Sequence, residues 1–248
     1  MKANILGCLV DQVNMEQSIE QTANFIKTGR PHQIITVNAE MVYMASQLPQ
    51  LKEIINQADL VTPDGIGVVW ASAQLGQPIP ERVAGVDLMD RLFTLAEKEG
   101  WRVYFLGAAP GIANDAVEKV MIKHPGLQVA GINHGFFTIE EEAELIERIK
   151  AVKPQLLLVA LGSPKQDYWI AKFKEELAVP VAMGVGGSFD VWAGKVKRAP
   201  RWMRRVNLEW LGRLIQEPSR YKRIIALPKF VLAVLGQKKS LVRLTEKE

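Results

Sequence analysis

Cysteine occurs once in these 248 residues and histidine three times. Cys8 alone permits neither an intrachain disulfide nor a cysteine-based metal cluster, and reads as a buried structural thiol. His32, His124 and His134 are scattered, with no HxxxH or HExxH spacing, and no Asp-x-Asp occurs. A mechanism built on a bound divalent cation therefore lacks obvious ligands, and neither a metal nor a cofactor is expected. His124, just before Pro125, reads as a surface residue in a loop. No run of about 18 apolar residues is present, so nothing is expected to span a bilayer. The longest candidate, Ile224 to Leu235, is interrupted by Pro228 and Lys229. The opening residues hold an apolar stretch too short for a secretory signal, which fits the cytoplasm. Two nucleotide-binding loops are missing as well. No Gly-Lys-Ser/Thr follows a glycine loop, and Gly65-Ile66-Gly67 fails the GxGxxG pattern at Trp70.

What is present is the composition of a folded domain, 48% hydrophobic and 23% charged. The length fits one large domain, or one domain with an appendage. Short apolar runs alternate with helical patterns. Ile34–Val37, Leu60–Thr62, Val103–Leu106, Val129–Ile132, Leu156–Leu161 and Val181–Val185 read as strands. Ala39–Ala58, Ile66–Leu75, Asp87–Glu99, Ile112–Lys123, Ile139–Val152 and Tyr168–Leu177 read as helices. This alternation predicts an α/β, Rossmann-like fold: a parallel sheet with helices on both faces.

In such sheets ligands bind beyond the carboxyl ends of the strands. Six loops there carry Gly or small polar residues: those at Thr36-Val37-Asn38, Pro63-Asp64-Gly65, Gly107 to Gly111, Asn133-His134-Gly135, Gly162 to Gln166, and Gly186-Gly187-Ser188. Asp64 is either the cap of the following helix or a general base at the floor of a cleft. The Gly107 loop is either a tight turn or an anion site at a helix N-terminus. Lys165 and Gln166 form a solvated helix start or a hold on phosphate or sugar. Arg82 is solvated or clamps a pyrophosphate.

Charge divides the chain. Residues 195–248 carry 15 Lys+Arg against 4 Asp+Glu, a net of +11, whereas residues 1–194 carry 16 against 23, a net of −7. The expected organisation is a Rossmann-like core, 1–194, and a basic, Trp- and Arg-rich appendage, 195–248. Such a segment suits a phosphate ester, a single-stranded nucleic acid or a membrane surface. Trp202, Trp210, Leu211 and Leu214 fall at roughly helical spacing, as in a terminal helix packed on the core or one lying at a lipid surface. The apolar stretch to Leu235 favours an anionic membrane surface over nucleic acid.

The run from Gly184 through Asp190, Gly194 and Arg198 to Pro200, then Trp202 and Asn207-Leu208-Glu209-Trp210, resembles a signature of the WecG/TagA/CpsF family of bacterial glycosyltransferases. Ala160-Leu161-Gly162-Ser163-Pro164-Lys165-Gln166-Asp167, Thr36-Val37-Asn38 and Pro63-Asp64-Gly65 are similar to that family too. The resemblance runs from about Asn4 to Arg223 and is nearest to its wall teichoic acid branch. It implies an inverting, metal-independent transferase at the cytoplasmic face of the membrane. The donor would be UDP-N-acetylmannosamine, and the acceptor undecaprenyl-diphosphate-linked N-acetylglucosamine, joined by a β-1,4 bond. Asp64 would be the general base, with Asp190 as another carboxylate able to serve. Thr36, Asn38 and Gln166 would contact or orient the sugars, and Arg82 would lie near the leaving diphosphate. Gly107, Asn133, Gly162 and Gly186 would line the UDP. Arg213, Arg220 and Arg223 would fold over the cleft and hold phosphate. A related donor such as UDP-N-acetylmannosaminuronic acid, with Lys165 or Arg82 meeting its carboxylate, is the alternative. A non-catalytic module binding RNA or lipid is the alternative of another class. Assembly into a homo-oligomer is left open.

Overall fold

Six parallel strands form the centre of the molecule in the order β4-β3-β8-β7-β5-β6. They are β3 (His32–Val37), β4 (Leu60–Pro63), β5 (Arg102–Gly107), β6 (Gln128–Asn133), β7 (Leu156–Ala160) and β8 (Val181–Gly184). The computed structural model describes residues 1–200, 202–203, 209–216 and 225–245. β7, β8 and nearly all of β3 are buried along their whole length, as expected of strands covered on both faces. Apolar side chains at alternate positions enter opposite layers: Leu156 and Leu158 join one cluster, Leu157 and Val159 another.

The helices follow the sequence pattern with informative differences. α1 (Met15–Thr28) opens on a reciprocal cap between Asn14 and Gln17, and Gly29 ends it in the left-handed region. The stretch expected as one helix from Ala39 to Ala58 is two, α2 (Ala39–Gln47) and α3 (Pro49–Gln57). Pro49 disfavours helical backbone at Leu48 and suits the first turn of α3. Next come α4 (Ile66–Gln74), α5 (Gly85–Glu99), α6 (Ile112–Lys123), α7 (Ile139–Val152), α8 (Lys165–Leu177) and the short α9 (Ser188–Trp192).

A hairpin not anticipated from the sequence precedes them: β1 (Lys2–Ile5) pairs antiparallel with β2 (Cys8–Asp11). Asp11 ties it to the main sheet by accepting the Val61 N–H at 2.8 Å. Cys8 is fully buried, and burial pushes its thiol up to about 11. His124 is also buried, at 4% exposure, which corrects its reading as a surface residue. It ends α6 against Phe93, with Nε2 3.2 Å from Asp90 Oδ1 and Nδ1 3.7 Å from Glu97 Oε2.

Beyond Gly194 the described chain rejoins the body. Ala199 and Met203 are buried. α10 (Glu209–Gln216) follows, then α11 (Ala226–Thr245). α11 packs on α2 and α4, with Phe230 and Val234 inside the same cluster as Val42, Val68 and Ala71. The Gln237 amide bridges back to the hairpin, accepting the Leu6 N–H at 2.8 Å and donating to the Asn4 carbonyl at 3.0 Å. The apolar stretch ending at Leu235 is therefore divided: Phe230 and Val234 face inward, while Ile225 and Leu232 are exposed. Trp202 and Trp210 are exposed as well, by 63% and 42%. Among the described residues no helix is long and apolar enough to cross a membrane.

Candidate active site

All six loops singled out in the sequence leave the carboxyl ends of strands of this one parallel sheet. Strands stand about 4.8 Å apart, so the five intervals from β4 to β6 spread these loops over about 24 Å. The connection after β5 runs outward to β6, while that after β7 runs the other way to β8. Such a reversal of winding opens a crevice between the two strands. The Gly107 and Gly162 loops flank it.

At the β3–β4 end, Thr36 pairs in register with Thr62, and Val37 with Pro63. The Asp64 N–H donates to the Val37 carbonyl at 2.8 Å, carrying the strand pairing one residue further. The Val83 N–H donates to the Pro63 carbonyl at 2.9 Å, which brings the Arg82 loop alongside. Gly85, the first residue of α5, seals this corner. A Cβ there would lie 3.5 Å from Thr36 Oγ1 and 3.7 Å from Asp64 Oδ2. Thr36 and Asp64 thus share one small site, half-buried at the sheet edge.

Neither α4 nor α5, the two helices that start beside Asp64, takes a side-chain cap. Their N-termini favour negative charge at this spot. Asn38 does cap a helix: its Oδ1 accepts the Met41 N–H at 2.9 Å, leaving the exposed amide NH2 as the donor toward the cleft.

Arg82 is not simply solvated. Its Nη2 donates to Glu209 Oε2 of α10 at 2.5 Å. Arg198 lies 3.6 Å from the other Glu209 oxygen and holds Asp87 of α5 through two bonds of 2.6 and 2.8 Å. These pairs hold the Arg198 guanidinium above its ordinary pKa against the opposing effect of burial. One chain of charges thus runs from the Arg82 loop through α10 to the start of α5. The sequence offered Arg82 as solvated or as a pyrophosphate clamp and gave no sign of these ion pairs: Arg82–Glu209 spans 127 residues and Arg198–Asp87 spans 111, which leaves no local trace.

At the β8–β7–β5 end, Gln166 is buried, and its Oε1 accepts the Gly186 N–H at 3.0 Å. Gly107 has φ +130, and a Cβ there would stand 2.5 Å from the Ala160 backbone, so this turn requires glycine. Gly162 (φ +77) and Gly186 (φ +51) also occupy the left-handed region. α6 starts after Gly111 without a side-chain cap, a feature compatible with an anion at its first turn. Asn133 donates to the His134 carbonyl at 3.0 Å, and Lys165 holds its ammonium 5.8 Å from the Phe137 ring centre. Asp190 lies on α9, and its carbonyl accepts the Lys195 and Val196 N–H groups.

The sheet edge thus gathers Thr36, Asn38, Asp64 and Arg82 at one end and Gly107, Asn133, Gly162, Lys165, Gln166 and Gly186 toward the other. Arg213 lies on α10, whereas Arg220 and Arg223 fall outside the described residues. Among the described residues no three or more of His, Cys, Asp and Glu converge as a metal site requires. The arrangement offers one carboxylate flanked by a hydroxyl, then a run of backbone N–H groups and short polar side chains. It can accept a proton at one end and hold an extended, phosphate-bearing ligand along the rest.

The chain is similar to known transferases. The Bacillus spizizenii N-acetylglucosaminyldiphosphoundecaprenol N-acetyl-beta-D-mannosaminyltransferase is 39% identical over 84% of this chain and 80% of its own length. The Bacillus subtilis protein of the same name is 35% identical over the same shares. The one from Staphylococcus aureus strain MW2 is 34% identical over 97% of this chain and 94% of its own. The Glycosyl transferase WecG/TagA/CpsF family matches residues 3–243, from β1 through nearly all of α11, so that the chain belongs to this family of glycosyltransferases.

Proposed function

We propose that this chain transfers N-acetylmannosamine from UDP-N-acetylmannosamine to undecaprenyl-diphosphate-linked N-acetylglucosamine. The product is a β-1,4 bond formed with inversion, the first committed step of wall teichoic acid synthesis. The observation that carries the reading is the Asp64–Thr36 corner on the ligand-binding edge of the sheet, in a chain 34–39% identical to transferases of that name.

Inversion needs a single displacement, so one base on the acceptor face suffices. Asp64 takes the proton from the acceptor 4-hydroxyl as that oxygen attacks the anomeric carbon and the bond to UDP breaks. Thr36, Asn38 and Gln166 orient the sugars. The leaving UDP gathers negative charge, and preorganised N–H groups and cations stabilise it. The loops at Gly107, Asn133, Gly162 and Gly186, with Lys165, supply the nucleotide end. Glu209 engages one nitrogen of Arg82, and a guanidinium carries five N–H donors, so the remainder can meet phosphate.

The proposed acceptor is anchored in lipid, which supports a reaction at the membrane surface; we propose its cytoplasmic face. The cations of residues 195–248 draw the enzyme there, at about 1 kcal/mol each near an anionic surface. The exposed Trp202 and Trp210 suit the headgroup layer. Arg213, Arg220 and Arg223 are proposed as further phosphate-binding residues, in a monomer or an oligomer.

The test is release of UDP from UDP-N-acetylmannosamine with and without the lipid-linked acceptor, in EDTA, for wild type and Asp64→Asn. Acceptor-dependent turnover that survives EDTA and collapses in the variant is the expected result. Turnover only with UDP-N-acetylmannosaminuronic acid reassigns the donor. Silence with both donors sinks the enzymatic reading.

A further inference from the structure

Next to Gln166 lies a carboxyl that the proposed transfer does not use. Asp167, in the first turn of α8, has 0% exposure. Its Oδ2 accepts the Ser163 hydroxyl at 2.9 Å, while Oδ1 is buried without a hydrogen-bond partner. The Gln166 amide comes near enough to favour the ionised form slightly, but makes no well-formed bond to Oδ1. Both side chains fill the space above Gly184: a Cβ there would meet Gln166 Nε2 at 2.6 Å and Asp167 Oδ1 at 3.1 Å. The Asp167 carbonyl is held from below by the Gln33 amide at 3.1 Å.

These contacts join two loops of the cleft. Through Ser163, Asp167 holds the loop that leaves β7; beside it, Gln166 holds the Gly186 N–H in the loop that leaves β8. We propose that Asp167 is a positioning residue for the nucleotide end of the cleft: in its uncharged form it locks the Gly162–Pro164 loop through Ser163 and seats Gln166 across Gly184, where the Gln166 amide oxygen holds the Gly186 N–H and so fixes the loop after β8 beside the donor.

The surroundings explain why the uncharged form is the working one. Burial, with no cation beside it and only partly offset by hydrogen bonding from Ser163, its own backbone N–H and Gln166, pushes the carboxyl up to about 7. The elements around it carry His32 on β3, Lys52 and Glu53 on α3, Glu142 on α7, and Lys165 and Lys174 on α8 itself. None of these contributes to stabilising a charge on Asp167. Ionisation above neutral pH therefore places an uncompensated charge between the two loops.

The proposal rests on UDP-N-acetylmannosamine as the donor, and two kinds of measurement separate the failure of one from the failure of the other. In the first, the KM for UDP-N-acetylmannosamine is followed from pH 6 to 8.5. Wild-type KM rises as the pH passes about 7, with a smaller change in kcat. Asp167→Asn, an uncharged replacement that still accepts from Ser163, keeps the KM near its low-pH value throughout. Ser163→Ala retains the carboxyl but loses the loop anchor, and raises KM roughly tenfold at every pH, the fold-change of one lost buried hydrogen bond. The second measurement is amide hydrogen exchange over residues 184–188, corrected for intrinsic base catalysis, which needs no turnover. Exchange quickens above neutral pH in wild type and not in Asp167→Asn. Identical pH profiles of KM or of exchange in wild type and Asp167→Asn overturn the proposal. Unchanged KM in Ser163→Ala overturns the loop-anchoring part. A wild type that does not turn over this donor defeats the functional reading alone and leaves the exchange comparison to decide the role of Asp167.

Discussion

The carboxyl edge of the sheet and the segment after Gly194 are built in opposite ways. The edge is made of glycines, short polar side chains and backbone N–H groups, with its few charges set at the ends. The later segment carries a net +11, yet its described attachments rely mainly on other residues. Glu209, one of its four acids, binds Arg82. Phe230 and Val234 enter the core, and Gln237 reaches the hairpin. Three of its described cations contribute as well, the half-buried Arg198 on Asp87 and the exposed Lys195 on Asp115 and Lys238 on Gln74. The net charge of a segment thus tells what its outer surface attracts, while its attachment is written in the residues that break the trend.

The sharpest break in that comparison is chemical. Asp64→Asn removes the base but keeps shape, so turnover falls about 10²–10⁴-fold with little shift in melting temperature. Kinetics beside calorimetry check this, and near-normal turnover passes the role to another carboxylate such as Asp190. Phe230→Ala tests whether the basic segment belongs to the core. It costs about 3–5 kcal/mol by urea unfolding, as for a buried aromatic replaced by alanine; a loss below about 1 kcal/mol means that α11 is only a surface graft.

Glu209→Gln is next in size, at about 1–3 kcal/mol for a buried charge-assisted bond left half-made. The loss should shrink in a background that already carries Arg82→Gln, and full additivity in that double-mutant cycle would separate the two residues. Last come Trp202→Ala and Trp210→Ala, each within about 0.5 kcal/mol of wild type because both side chains are exposed. Sedimentation with anionic vesicles should weaken in both, and unchanged sedimentation removes indole from the membrane contact.

Asp167 adds a pH dependence whose sign is fixed. Its folded-state pKa, about 7, lies above the unfolded value of 3.8. The native state therefore binds more protons between these values, so stability from this group declines as pH rises from about 4 to 7 and is level beyond. The melting temperature of Asp167→Asn relative to wild type should climb over that window and then hold.

All six parallel strands were legible in the sequence, because strands buried on both faces read as short apolar runs between turn residues. The six loops followed from the rule for such sheets. The hairpin was not legible. Its turn at Leu6-Gly7 lacks the Asn-Gly pattern, and Leu6 adopts φ +51 because Asn4 Oδ1 takes the Gly7 N–H and Gln237 closes over it. α1 went unread although Asn14 and Gln17 form a capping pair, since too few apolar residues mark its face. His124 is drawn inward by Phe93, Asp90 and Glu97, partners 27 to 34 positions away. Long-range pairing also hid the partner of Arg82. Local patterning identifies strands and turns; it is silent on which distant side chain answers a charge.

The Gln237 bridge has a consequence for the order in which the chain becomes structured. The hairpin at residues 2–11 leaves the ribosome long before residue 237, and its turn finds its closing amide only after that residue has emerged. At about 5–20 residues per second, that interval is at least about ten seconds. Throughout it, the layer of Val42, Val68 and Ala71 lacks Phe230 and Val234, and its apolar face stays open to water. A nascent chain of this kind is a natural client for a chaperone that shields apolar surface until α11 docks.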